Sequence, residues 1–137
     1  ATPAILGFAA ACETVSKGLV GDIAREKALL DACIQRLSDL DGVKINGAHE
    51  APHILSLSIP GVPTQNSINL LQDAGICVSA GSACAKGHRS HTLTAMKLSP
   101  ENMDGSFRIS LCKDTTEGEL DTLVTAIRDD IVARYIK

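Results

Sequence analysis

The stretch Ile54-Leu55-Ser56-Leu57-Ser58-Ile59 alternates with a period of two. Leu55, Leu57 and Ile59 fall on one side, and Ile54, Ser56 and Ser58 on the other. That pattern predicts a strand with one face against a core. Pro60-Gly61 ends it. Residues 43–46, set between the turn Asp41-Gly42 and Gly47, and residues 107–111 are further strands. Ile76-Cys77-Val78 reads as a brief buried strand. The expectation is a sheet of about four strands.

Around these strands the apolar period becomes helical. Residues 3–17 predict a helix with Pro3 in the first turn, where its missing N–H costs nothing. Gly18 and Gly21 are expected to break it, and Asp22 to cap a second helix reaching residue 40. In that helix Ile23, Leu30, Cys33, Leu37 and Leu40 share a face. Residues 64–74 form a helix facing inward at Ile68, Leu70 and Leu71, with Gly75 at its C′ position. Residues 91–97 give a short helix, and Ser99-Pro100-Glu101 starts another. Thr116-Glu117-Gly118-Glu119 is a capping box. It opens a helix whose stripe is Leu120, Leu123, Val124, Ile127, Ile131 and Tyr135. The order predicts one α+β domain over residues 1–137, a mostly antiparallel sheet covered by helices in an α/β sandwich.

Composition narrows the function. Of 137 residues 45% are apolar, enough for a core, but only 2% are aromatic, so the core is aliphatic. Few aromatic faces and a net charge of −3 argue against stacking or phosphate-backbone contacts with nucleic acid. The odd, widely spaced set Cys12, Cys33, Cys77, Cys84 and Cys112 reads as reduced thiols in a cytoplasmic protein, mostly small and buried. No basic n-region marks a signal peptide, and no run of about 18 apolar residues suggests a membrane span. The opening Ala1-Thr2-Pro3 reads as the edge of a piece of a longer protein.

The chemistry concentrates in Ser79-Ala80-Gly81-Ser82-Ala83-Cys84-Ala85-Lys86-Gly87. Small neighbours leave the Cys84 thiol reachable, and Lys86, His88, Arg89 and His91 favour its thiolate. A nucleophile needs both properties; a loop cysteine without a role is the plain alternative. Cys77, Cys84, His88 and His91 could also ligate zinc, but their spacing lacks a paired C-x2-C knuckle, so no metal is expected. Arg108, inside Phe107-Arg108-Ile109-Ser110-Leu111, either faces solvent or offers its fork to a carboxylate.

Several stretches resemble the cysteine desulfurases of the class V aminotransferase family, in its long-loop group. Ser79-Ala80-Gly81-Ser82-Ala83-Cys84 is similar to their S-S-G-S-A-C, and Ser106-Phe107-Arg108-Ile109-Ser110-Leu111 to S-I-R-F-S-L. Ala95-Met96-Lys97-Leu98 follows an A-M-G-L-like run, and Thr115-Thr116-Glu117-Gly118-Glu119-Leu120-Asp121 a T-T-E-E-E-I-D run. Ala51-Pro52-His53-Ile54-Leu55-Ser56-Leu57-Ser58 resembles A-P-N-I-L-N-V-S, and Pro3-Ala4-Ile5-Leu6-Gly7-Phe8 resembles P-A-I-A-G-F. Departures are Ala80 for serine, His53 for asparagine and Cys112-Lys113 for G-R.

The resemblance implies the small C-terminal domain of a fold-type I pyridoxal-phosphate transferase. The cofactor would be held by a large domain that no segment here matches. Substrate L-cysteine would be gripped through its carboxylate by Arg108, and Cys84 would take its sulfur as a persulfide, leaving alanine. Ser79, Gly81, Ser82 and Ala83 would support the loop. The sulfur would pass to an acceptor or scaffold protein for iron–sulfur cluster assembly or tRNA thiolation, from a homodimeric enzyme. The chain alone would be inactive. The alternatives are a stand-alone persulfide carrier and a related class V lyase or aminotransferase.

Overall fold

The structure, a computed structural model, describes residues 1–48, 50–81 and 90–136. Helix α1 runs Thr2–Ser38, followed by β1 (Lys44–Asn46), β2 (Ile54–Ser58) and α2 (Thr64–Asp73). Then come α3 (His91–Ala95), α4 (Pro100–Asp104), β3 (Ser106–Ser110) and α5 (Glu117–Ala126). Helix α5 continues through a π-helical segment, Ile127–Val132, into α6 (Ala133–Tyr135).

The sheet has three described antiparallel strands in the order β1-β2-β3, not about four. Residues 76–78 form no strand, and Cys77 is exposed. The chain reaches β3 only at Ser79, which bridges Arg108 in antiparallel sense. Ile76 and Val78 instead lie against the core as apolar cover.

The alternation read from Ile54–Ser58 holds. Leu55, Leu57, Phe107 and Ile109 form one buried face, roofed by the C-terminal half of α1, by α2, by α5 and by the π-helical segment. Fully burying each such side chain contributes roughly 1.5–3 kcal/mol. The other face carries Asn46, Ser56, Ser58, Ser106, Arg108 and Ser110, and the α3–α4 stretch lies over part of it.

Helix α1 is a single helix of 37 residues rather than two. A helical glycine costs only about 1 kcal/mol, so Gly18 and Gly21 weaken it without ending it. Leu30, Cys33 and Leu37 are buried as expected, but Ile23 is exposed. The buried stripe continues toward the N-terminus as Leu19, Val15, Cys12 and Phe8, yet there it faces outward, with Phe8 73% exposed. By length and composition α1 is long and apolar enough to cross a membrane, against the sequence expectation. Burial of the Cys33 thiol pushes its pKa up to about 11, with Arg36 opposing, so this thiol stays protonated and inert in the fold. Cys12, Cys77 and Cys112 are exposed free thiols, not the buried ones expected.

The capping box at Thr116 is present in both directions: the Thr116 hydroxyl accepts from Glu119 N–H, and the Glu119 carboxylate accepts from Thr116 N–H. These bonds hold the Glu119 carboxyl below its ordinary pKa. The predicted stripe is buried through Ile131, but Tyr135 is 46% exposed. Ile136, which leaves the helix in an extended conformation, packs on the core instead.

Two helices end in the same way on different residues. Gly75 closes α2 at φ 78°, with Gly75 N–H donating to Gln72 O and Ile76 N–H to Leu71 O. Lys97 closes α3 at φ 58°, with Lys97 N–H donating to Thr94 O and Leu98 N–H to Leu93 O. A side chain in that left-handed region costs about 1 kcal/mol that glycine avoids. Lys97→Gly is therefore expected to stabilise the fold by about 1 kcal/mol in urea unfolding. A loss of stability would show that the Lys97 side chain makes a contact outweighing its backbone strain.

Candidate functional site

The register sets the site. Asn46 stands opposite Ser56, Ser56 opposite Arg108, and Arg108 opposite Ser79. These four residues form one row across the sheet on its polar face. At the end of the row the backbone pair is reciprocal: Ser79 N–H donates to Arg108 O at 3.0 Å, and Arg108 N–H to Ser79 O at 2.7 Å. Ser79, five residues before Cys84 in sequence, is thus pinned beside Arg108.

A cavity of about 250 Å³ opens on this face. Arg108, Ser56 and Asn46 line it together with Gly81 and Ser90. Gly81 and Ser90 are the described residues on either side of 82–89. Ser90 also caps α3, its hydroxyl accepting from Leu93 N–H. Arg108 is exposed, and its side chain has no hydrogen bond or ion pair among the described residues. Cys84, Ser82 and Ala83, singled out in the sequence, lie outside the described residues, as does His88. Among the described residues no group of three or more His, Cys, Asp or Glu could hold a metal.

Asn46 and Ser56 were not picked out by sequence reasoning as site residues. The alternation in 54–59 put Ser56 on the polar face, but only the register shows that Arg108 stands opposite it. Three of the four departing residues, His53, Cys112 and Lys113, also come together, in a groove of about 770 Å³ against Val15, Leu19 and Asp22 of α1. Leu111 N–H donates to His53 O at 2.8 Å there, and the Arg25 guanidinium donates to Lys113 O and Thr115 O, tying the loop after β3 to α1.

A family model described as "Aminotransferase class-V" matches residues 1–123. The chain is 34% identical over 131 residues to the "Cysteine desulfurase IscS" of Edwardsiella ictaluri, covering 93% of this chain and 32% of that protein. It is 31% identical over 137 residues to a "Cysteine desulfurase" of Nostoc sp., covering 96% of this chain and 34% of that protein. The X-ray structure of a NifS-like protein from Rickettsia africae superimposes with a TM-score of 0.78 at 26% identity, covering 90% of this chain and 33% of that one. The chain spans about a third of the length of the curated relatives it matches.

Proposed function

Because the chain belongs to the class V aminotransferase family, we propose that it is the small C-terminal domain of a cysteine desulfurase. In this reading Arg108 binds the carboxylate of L-cysteine and Cys84 receives its sulfur. The observation that carries it is the Ser79–Arg108 bridge, which anchors the residue five positions before Cys84 on the strand whose arginine lines a cavity and has no side-chain partner among the described residues. A planar guanidinium on a strand can bind a carboxylate through two parallel N–H···O bonds, fixing orientation as well as position.

The family implies pyridoxal phosphate, and this cavity does not fit it. Among the described residues its lining holds no lysine to bond the aldehyde and no Asp or Glu to pair with the pyridine nitrogen. We place the cofactor in a larger domain of the same protein, where it would labilise the Cβ–S bond of the substrate. The exposed apolar side chains of α1, Ile5, Leu6, Phe8, Val15 and Val20, spread round at least half of the helix, as on a segment covered by such a domain. The family match includes these residues, which favours a protein partner for that face over lipid.

The net reaction balances. L-Cysteine and the Cys84 thiol give L-alanine and a Cys84 persulfide: the Cβ–S bond breaks, an S–S bond forms, and Cβ gains a proton. The persulfide sulfur then goes to an acceptor or scaffold protein. We expect the full-length enzyme to act as a homodimer in the cytoplasm.

Arg108→Ala in the full-length protein is expected to raise KM for L-cysteine at least about tenfold, the loss of a charge-assisted pair, with a smaller effect on kcat. Steady-state alanine formation measures it. An unchanged KM would make Arg108 a solvated strand residue only.

A further inference from the structure

We propose that Ser56, held in place by Asn46, is a second donor to the substrate carboxylate beside Arg108. This rests on the desulfurase reading and adds a specificity residue to it.

Asn46 is buried at the end of the row, and its amide is engaged on both sides. Its Nδ2 donates to Ser58 Oγ at 2.8 Å and to Ser56 Oγ at 3.2 Å, while the Ser58 hydroxyl donates to Asn46 Oδ1 at 3.1 Å. Ser58 is fully buried, so this end of the network is fixed. Each amide hydrogen has an acceptor, and the Ser58 proton is used. Ser56 accepts from Asn46, which leaves its own hydroxyl proton as the one donor of the cluster without an acceptor among the described residues. Ser56 lines the same cavity as Arg108 and is its direct cross-strand partner. Directly opposed side chains start about 4.5–5.5 Å apart, within reach of one carboxylate group.

The ligand this row selects follows from its donors. Arg108 supplies the charge and two N–H groups, and Ser56 adds one O–H. Among the described residues no carboxylate lines the cavity to compete for them. A carboxylate accepts through both oxygens at about four lone-pair sites, so it can use all three donors. An amine or a neutral thiol cannot. The row therefore discriminates an α-amino acid from its decarboxylated amine, and Asn46 serves as a positioning residue that keeps the Ser56 hydroxyl turned to the cavity.

The test uses the full-length protein with its cofactor and measures binding by titration calorimetry. L-Alanine probes the carboxylate, and cysteamine is the control that lacks it. Ser56→Ala is expected to weaken L-alanine about tenfold, to leave cysteamine unchanged and to raise KM for L-cysteine more than it lowers kcat. Ser56→Thr, which keeps the hydroxyl, should restore L-alanine binding. Equal weakening of both ligands by Ser56→Ala would make its role structural and overturn the proposal. Wild-type L-alanine binding in Ser56→Ala, with loss in Arg108→Ala, would overturn it while leaving the desulfurase reading intact. Failure of the wild-type protein to bind L-alanine at all would overturn both.

Discussion

Full-length protein carrying Cys84→Ser is expected to lose alanine formation from L-cysteine by at least about a thousandfold, while the absorbance of its bound cofactor stays as in the wild type. The substitution changes one atom. Oxygen gives a slightly smaller side chain of the same shape and removes the nucleophile, because a serine hydroxyl is far less acidic than a cysteine thiol and far less nucleophilic toward sulfur. An alkoxide attack on sulfur would also end in an S–O bond, a far less stable product than a persulfide. Nothing in the proposed role of Cys84 touches the cofactor, so its spectrum is the internal control for folding. Wild-type alanine formation in this variant would remove Cys84 from the mechanism.

Gly105→Ala is expected to destabilise the protein by about 3 kcal/mol or more, seen as a lower urea midpoint. Gly105 sits between α4 and β3 at φ −102°, a conformation any residue adopts, so torsion does not explain it. Space does. A Cβ there would lie 2.3 Å from Ile59 O, 2.8 Å from Ile59 C and 3.0 Å from Val62 O, all backbone atoms. Ile59 N–H donates to Gly105 O at 3.0 Å, so the two chains are held together where the methyl must go. Relief has to separate the Ser106 end of β3 from the segment after β2, two residues from Arg108, and KM for L-cysteine should rise along with the loss of stability. An unchanged urea midpoint would mean the backbone shifts at no cost, and the close approach would not be what the glycine serves.

Local patterns explain which parts were legible in sequence. The strand at 54–58 was carried by a period of two, and the capping box by two side chains three residues apart; neither depends on distant residues. The division of α1 at Gly18 and Gly21 was wrong because helix propensity is a small energy, outweighed by a long helix anchored at Leu30, Cys33 and Leu37. The π-helical segment was invisible because nothing in the residue types of Ile127 to Val132 marks a change of helix, and the packing of Ile136 depends on how the chain leaves α6. In the site, Arg108 was singled out through the resemblance of Ser106-Phe107-Arg108-Ile109-Ser110-Leu111 to S-I-R-F-S-L, because the strand pattern alone leaves it either solvated or facing a carboxylate. The row Asn46–Ser56–Arg108–Ser79 was not, since register between strands separated by 47 residues of chain, from Ile59 to Gly105, leaves no mark in either strand alone.

The most direct test is the mass of the Cys84 peptide after full-length protein, loaded with pyridoxal phosphate, is given L-cysteine without a reductant. One added sulfur atom on that peptide, matched by alanine release, is the predicted result. Alanine release with the added sulfur on Cys112 or Cys77, or on no cysteine of this chain, would contradict it.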